Sequence, residues 1–406
     1  MEKLNGLSKP MSYIQNMRFS GGQILRENGL TSGELTVDNG RILDRSQLCA
    51  PWHVELEGYM ILPGIIDLHG DAFERHLAPR PSAPFPSEVG LQSVDREAAA
   101  NGVTTAWMAQ SWSWEGGSRG PDFAVAFMED LAAYQPQALT DLRIQLRCET
   151  HTVETQERLL ETVRKHKIDY VIFNDHIGEA MEMITSDPEG LAIWGKRAGR
   201  DLAGHIALIK ATKQKAAQVP RYLCSLSAAF DALGVTYGSH DDANAATREY
   251  YGMIGARICE FPTHHAPAQV ARANDDPILM GAPNVVRGGS QSGNIAATDL
   301  VKLGLCDVLV SDYHYPSLAR AAHRLADMGL MPFSEAWQMI STTPARVMGL
   351  DDRGEIANGK RADLVICNRQ TRQIEGTIAN GRWSHICGDL AGRIMANQPN
   401  RAVAAE

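Results

Sequence analysis

The stretch ILPGIIDLHGD, Ile61 to Asp71, decides the fold. Its near-continuous apolar run is what a strand buried on both faces requires. A doubly wound open sheet usually follows its first strand with a glycine-rich phosphate loop. Here a histidine stands in that place. Seven further runs of this kind follow, separated by longer helical stretches: VTTAWMA (103–109), RIQLRCE (143–149), YVIFND (170–175), VTYGSH (235–240), RICEFP (257–262), ILMGAP (278–283) and DVLVSD (307–312). Eight strands joined by right-handed helical crossovers close most naturally into a barrel. The expected fold is therefore α/β, a (β/α)8 TIM-type barrel over residues 61–352.

Outside that span the pattern is different. MRFSGGQIL (17–25), GELTVDNGRIL (33–43) and HVELEGYMIL (53–62) are short runs divided by Gly and Asn-Gly turn signals. GEIANGKRADLVICN (354–368) and IEGTIANGRW (374–383) read the same way. Residues 16–60 and 353–390 are expected to form one small β-sandwich from both chain ends. Residues 1–15 are polar, lack the apolar segment of a signal peptide, and read as a disordered extension.

The chain has 406 residues, 44% hydrophobic and 21% charged, as a globular enzyme would. Its formal net charge of −9 argues against nucleic acid or an anionic membrane as partner, so an anionic ligand would need local cations or a metal. No apolar run approaches the roughly 20 residues of a membrane span. The seven cysteines (49, 148, 224, 259, 306, 367 and 387) are scattered, with no C-x-x-C pair. They suit small buried residues in a reducing compartment, and a cytoplasmic location is expected.

The strand ends carry the chemistry. The first gives His69 and Asp71, the third Glu149 and His151, the fourth Asp175 and His176. The fifth gives His240, Asp241 and Asp242, and the eighth Asp312 and His314. Any one of these alone could be a helix cap or satisfy a loop backbone. Five strand ends carrying ligand-type residues together point to the carboxyl face of a barrel, where side chains from separate strands converge. Imidazoles mixed with carboxylates suit one or two divalent ions, zinc or manganese before magnesium.

Two segments, ILPGIIDLHGD and TTPARVMGLDDRGEIANGKRADLVI (342–366), resemble the two ends of the barrel in the amidohydrolase superfamily. The family's first-strand motif is His-x-His, and Asp71 replaces its second member. More closely, APRPSAPF (78–85), LRCETHT (146–152), SHDDA (239–243), EFPTHH (260–265), LMGAPNVVRGGSQSGNIAATDL (279–300) and LVSDYHYPSL (309–318) resemble the alpha-D-ribose 1-methylphosphonate 5-triphosphate diphosphatase family of phosphonate catabolism. The resemblance implies a metal centre from His69, Asp71, Glu149, His176, His240 and Asp312, with Glu149 bridging where some relatives use a carboxylated lysine. It implies Asp312 as general base, a metal-activated water, and release of pyrophosphate from a phosphorylated ribose. Relatives usually place the two single histidines on the fifth and sixth strands, whereas here they fall on the fourth and fifth. Either a strand lies between Ala180 and Pro220, or the pattern is shifted.

Two segments depart from the family: SWSWEGGSRG (111–120) after the second strand, and DHIGEA (175–180) with the helical stretch up to about Pro220. For the phosphates, Arg287, Ser290, Ser292 and Asn294 form an anion-type loop at an apparent helix start. Arg75 and Arg80 are further candidates, with surface ion pairs as the bland alternative. The basic run RKHK (164–167) reads as a solvated face. The competing functions are hydrolysis of a C–N bond, to which an anion loop is of little use, and a metal-free scaffold, to which the ligand set is superfluous. A homodimer is expected by analogy with other barrels of this kind.

Overall fold

The computed structural model describes residues 13–14, 17–27, 29–43, 52–80 and 83–396. Apart from Tyr13 and Ile14, the expected N-terminal extension lies outside them. Eight parallel strands form one sheet in sequence order: Ile65–Gly70, Val103–Trp112, Asp141–Glu149, Tyr170–Asn174, Thr236–His240, Ile258–Glu260, Ile278–Gly281 and Val308–Val310. All eight expected runs are present. Between Ala180 and Pro220 the chain is helical (Ile177–Ser186, Pro188–Arg197, Leu202–Lys213), so no further strand lies there among the described residues. The eight-strand count stands, so His176 and His240 follow the fourth and fifth strands.

The barrel closes between its first and eighth strands in two ways. At the mouth, Asp312 N–H donates to the His69 carbonyl at 3.0 Å and Asp71 N–H to the Asp312 carbonyl at 2.7 Å. Lower down, Met339 and Ile340 are wedged into the seam: Leu309 N–H donates to the Met339 carbonyl and Ile66 N–H to that of Ile340. Alternation along each strand sorts the side chains. Ile144, Leu146 and Cys148 pack outward under the helices, while Ile66, Leu68, Trp107, Ile172, Leu279 and Val310 fill the barrel.

The quoted stretch is two strands, not one. Tyr59–Pro63 belongs to a six-stranded sheet of the chain ends, and the barrel strand starts at Ile65. Gly64 makes the transition, because a Cβ there would lie 2.4 Å from Thr104 Oγ1. In the six-stranded sheet Tyr59–Pro63 runs antiparallel to Leu364–Asn368, and Met17–Ser20, Leu35–Asp38, Arg41–Leu43 and Trp52–Glu55 form a four-stranded sheet. Phe19, Val37, Val54, Ile61, Leu364 and Ile378 share one core between them. Among the described residues no helix is long and apolar enough to cross a membrane.

The end sheets are tied to the barrel by Asp141, which accepts from Arg353 Nη1 at 2.6 Å and from Arg143 Nη2 at 3.0 Å. Burial opposes ionisation of Asp141, but the two guanidinium groups outweigh it and hold its pKa at about 2. A lowered carboxyl pKa stabilises the fold fully above the ordinary value near 3.8, and that contribution disappears as pH falls through about 2. Asp141→Asn is expected to cost about 2 kcal/mol near neutrality in urea unfolding. The gap from the unaltered protein should narrow as pH is lowered from about 4 towards about 2.

Candidate metal centre

The first strand carries an irregularity where the chemistry begins. Ile66 and Asp67 pair with Thr105 and Ala106, but Gly70 pairs with Met108, so three residues advance against two. Such a bulge turns consecutive residues towards the same side. Leu68 stays in the barrel filling, and His69 is brought to the mouth above it.

There His69, His240 and Glu260 have donor atoms all within 4.8 Å of one another. His69 Nδ1 is 2.9 Å from Glu260 Oε2, and His240 Nε2 is 3.8 Å from the same oxygen. Gln145 Nε2 donates to the other Glu260 oxygen at 2.9 Å and the Tyr170 hydroxyl at 3.4 Å. A fully buried carboxylate demands compensation. Burial opposes a charge on His69, but Glu260 outweighs it and raises the imidazole pKa. Burial likewise opposes ionisation of Glu260, and His69 brings its pKa down. His240 has its pKa lowered by burial, and its Nδ1 faces Asp241 at 2.9 Å without hydrogen-bond geometry. Two imidazoles around a buried carboxylate, one of them held neutral, form a donor set that fits a borderline divalent ion.

The six expected ligands divide. His69, Asp71, His240 and Asp312 line one cleft of about 310 Å³. Glu149 and His176 form their own pair, through Nδ1 and through the His176 N–H at 3.2 Å. Burial opposes ionisation of Glu149, yet His176 holds its pKa at about 2. Asp312 has its pKa pushed up to about 6, chiefly by burial, with Asp71 adding to it against the opposing effect of His69. Asp241, Phe261 and Asp312, at the ends of the fifth, sixth and eighth strands, have φ of 57°, 51° and 55°. Left-handed conformations of this sort cost about 1 kcal/mol or more each, and they accumulate at functional sites.

Other strand-end residues are structural. Asp242 is fully buried and accepts from Ser239, with Arg248 at 3.5 Å. His314 Nδ1 meets Ser317 Oγ at 2.8 Å at the start of the helix Ser317–Asp327.

Of the expected phosphate donors, Arg287, Ser290, Ser292 and Asn294 line the same cleft as His69 and Asp312. They do not stand at a helix start. The helix is Ala297–Lys302, and its first N–H is taken by the Asn284 side chain at 3.0 Å, which leaves 288–296 as a loop. Arg75 does not line the cleft but is engaged at its edge by Glu97 and the Tyr313 carbonyl, and Arg80 sits at the exposed Arg80–Ala83 bridge. Glu260, Arg119 and Arg147 are the cleft and cluster residues that reading the strand ends missed. Arg147 was legible: Arg143, Gln145, Arg147 and Glu149 alternate on the inward side of the third strand, opposite Ile144, Leu146 and Cys148. With the Asn174 amide oxygen turned towards it, Arg147 donates at 3.0 Å.

Comparison with known proteins places this geometry. The sequence profile of the amidohydrolase family matches residues 309–383. The chain is 32% identical over 364 residues to the alpha-D-ribose 1-methylphosphonate 5-triphosphate diphosphatase of Escherichia coli (strain K12), covering 87% of this chain and 95% of that protein. Among solved structures, an amidohydrolase aligns with TM-score 0.62 at 13% identity, over 90% of this chain and 98% of the other. N-acetylglucosamine-6-phosphate deacetylase from Pasteurella multocida aligns with TM-score 0.58 at 14% identity, over 90% of this chain and 99% of the other. At such identities the structural likeness speaks for the fold alone.

Glu260→Gln keeps the shape of the cluster and removes its charge. Elemental analysis of the purified variant should show zinc or manganese affinity reduced at least about tenfold. Undiminished binding would move the ion to the Glu149–His176 pair.

Proposed function

Since the chain belongs to the amidohydrolase superfamily, with the alpha-D-ribose 1-methylphosphonate 5-triphosphate diphosphatases, we propose that it hydrolyses that triphosphate to the 5-phosphate and pyrophosphate. The observation that carries this reading is the coincidence, in one cleft, of a metal-type cluster and an anion-receiving loop. A neutral amide would give the charge of Arg287, bonded here to the neutral groups of Gln291 and Tyr313, no anion to meet, which weighs against hydrolysis of an uncharged amide.

His69, His240 and Glu260 would hold a divalent ion near Asp71 and Asp312, and such an ion would supply positive charge to acidify water and offset the phosphoryl oxygens. Glu149 and His176, paired with each other here, would be the donors if a second ion bound. The remaining work falls to side chains. Arg287 and the hydroxyls of Ser290 and Ser292 hold the phosphate chain, fixing the scissile bond against the mouth of the barrel. Asp312 takes a proton from the attacking water at a carboxylate oxygen and returns it to the departing phosphate. Burial lifts its pKa to about 6, above the ordinary carboxylate value, and a bound cation would draw it back down. Water adds its oxygen to phosphorus, the bond between the α- and β-phosphates breaks, and pyrophosphate leaves.

Pyrophosphate should appear when protein loaded with manganese or zinc meets ribose 1-methylphosphonate 5-triphosphate. Asp312→Asn should lower kcat by about 100-fold or more with a smaller change in KM. No pyrophosphate from the loaded protein would sink the reading.

A further inference from the structure

The two segments that depart from the family pattern pack together as one structural unit. Trp114, in the loop after the second strand, stacks on His205 of the helix Leu202–Lys213, with ring centroids 6.2 Å apart. It shares a buried cluster with Ile177, Ala180, Leu191 and Ile209 from the helices after the fourth strand. Arg200 donates to the Glu115 carbonyl. Gly116 and Gly117, with φ of 75° and 59°, lie so close to Arg200 and Arg197 that a Cβ on either would meet them at 2.8 Å.

This unit delivers Arg119 to the cleft that holds His69, Asp71 and Asp312. Its side chain is 22% exposed, lines the cleft and makes an ion pair with Glu115 at 3.2 Å through one nitrogen, Nη1, so it can meet a solute there. Arg119 follows the second strand and Arg287 the seventh. The first and eighth strands, bearing His69, Asp71 and Asp312, lie between them. The cleft thus has a guanidinium on either side of the reacting groups, the Arg119 one countered by Glu115 and Glu74.

We infer that Arg119 is a specificity-determining residue that binds a second anionic group of the substrate, at the end away from the phosphate chain held by Arg287. The site is then built for a molecule charged at both ends. Under the diphosphatase reading, on which this inference rests, that second group is the phosphonate, and Arg119 is what separates the substrate from an ordinary sugar or nucleoside triphosphate. A guanidinium lost from a charged hydrogen bond weakens binding by about tenfold or more.

The test compares ribose 1-methylphosphonate 5-triphosphate with ribose 5-triphosphate as substrates of the metal-loaded full chain. The unaltered protein should prefer the first, and Arg119→Met should collapse that preference at least about tenfold, mainly through KM. Arg119→Lys, which keeps the charge, should retain part of it. Glu115→Gln releases Arg119 from its ion pair and should hold or sharpen the preference. Equal losses on both substrates, no preference in the unaltered protein, or a collapse in Glu115→Gln matching that in Arg119→Met would overturn the inference. If neither triphosphate is hydrolysed, the diphosphatase reading fails separately. Calorimetry then decides on Arg119 alone: ribose 1-methylphosphonate 5-phosphate should bind more tightly than ribose 5-phosphate, and Arg119→Met should erase the difference. Equal affinities in the unaltered protein would count against it.

Discussion

Two backbone hydrogen bonds, from Asp312 to His69 and from Asp71 to Asp312, hold the first and eighth strands together at the mouth of the barrel. The residues that make this last stitch are also the ones whose side chains face the cleft. Closure and chemistry are therefore a single constraint. The left-handed backbone of Asp312 is the local cost of turning the chain there while keeping both bonds. Asp67, directly below, fastens the seam by accepting from the Ser311 N–H at 2.8 Å and its hydroxyl at 2.6 Å. Shifting either strand by one residue would break these bonds and turn the ligands away from one another.

The charge on this site runs against that of the whole molecule. A chain of net charge −9 gathers Arg119, Arg147 and Arg287 around one cleft. Arg147 has a particular place among them, because it opposes protonation of His69, His176 and His240 and favours ionisation of Glu149 and Asp312. A fixed cation at the base of a cluster of carboxylates adds to the larger effect of the neighbouring imidazoles in favouring their ionised form.

The barrel was legible because its strands are buried on both sides and so spell themselves out as apolar runs. His69, His240 and Asp312 were legible because they end such runs. Glu260 escaped because the run RICEFP carries it inside the expected strand, whereas the strand of the fold ends at Glu260 and sets it beside two imidazoles. The split of ILPGII at Gly64 was hidden too, since both halves are equally apolar and only the close approach of Thr104 separates them. Arg75 misled for the opposite reason. Its position after His69 suggested the cleft, but Glu97 on the following helix lies within its reach. The unity of the Trp114 loop with the helices after the fourth strand depends on contacts across long stretches of sequence, which no local pattern records.

The pairing of Pro63 with Leu364 in the chain-end sheet has a consequence for how the molecule is made. On a ribosome adding about 5–20 residues per second, the strand Tyr59–Pro63 waits roughly 15–60 s for that neighbour. Throughout that interval one edge, composed of Tyr, Met, Ile and Leu, stands without its final partner while the barrel is laid down behind it. An open apolar edge is a template for strands of other chains. The yield of active protein should therefore be set in part during synthesis, and slower translation or higher temperature would lengthen or worsen the exposure before the C-terminal strands arrive.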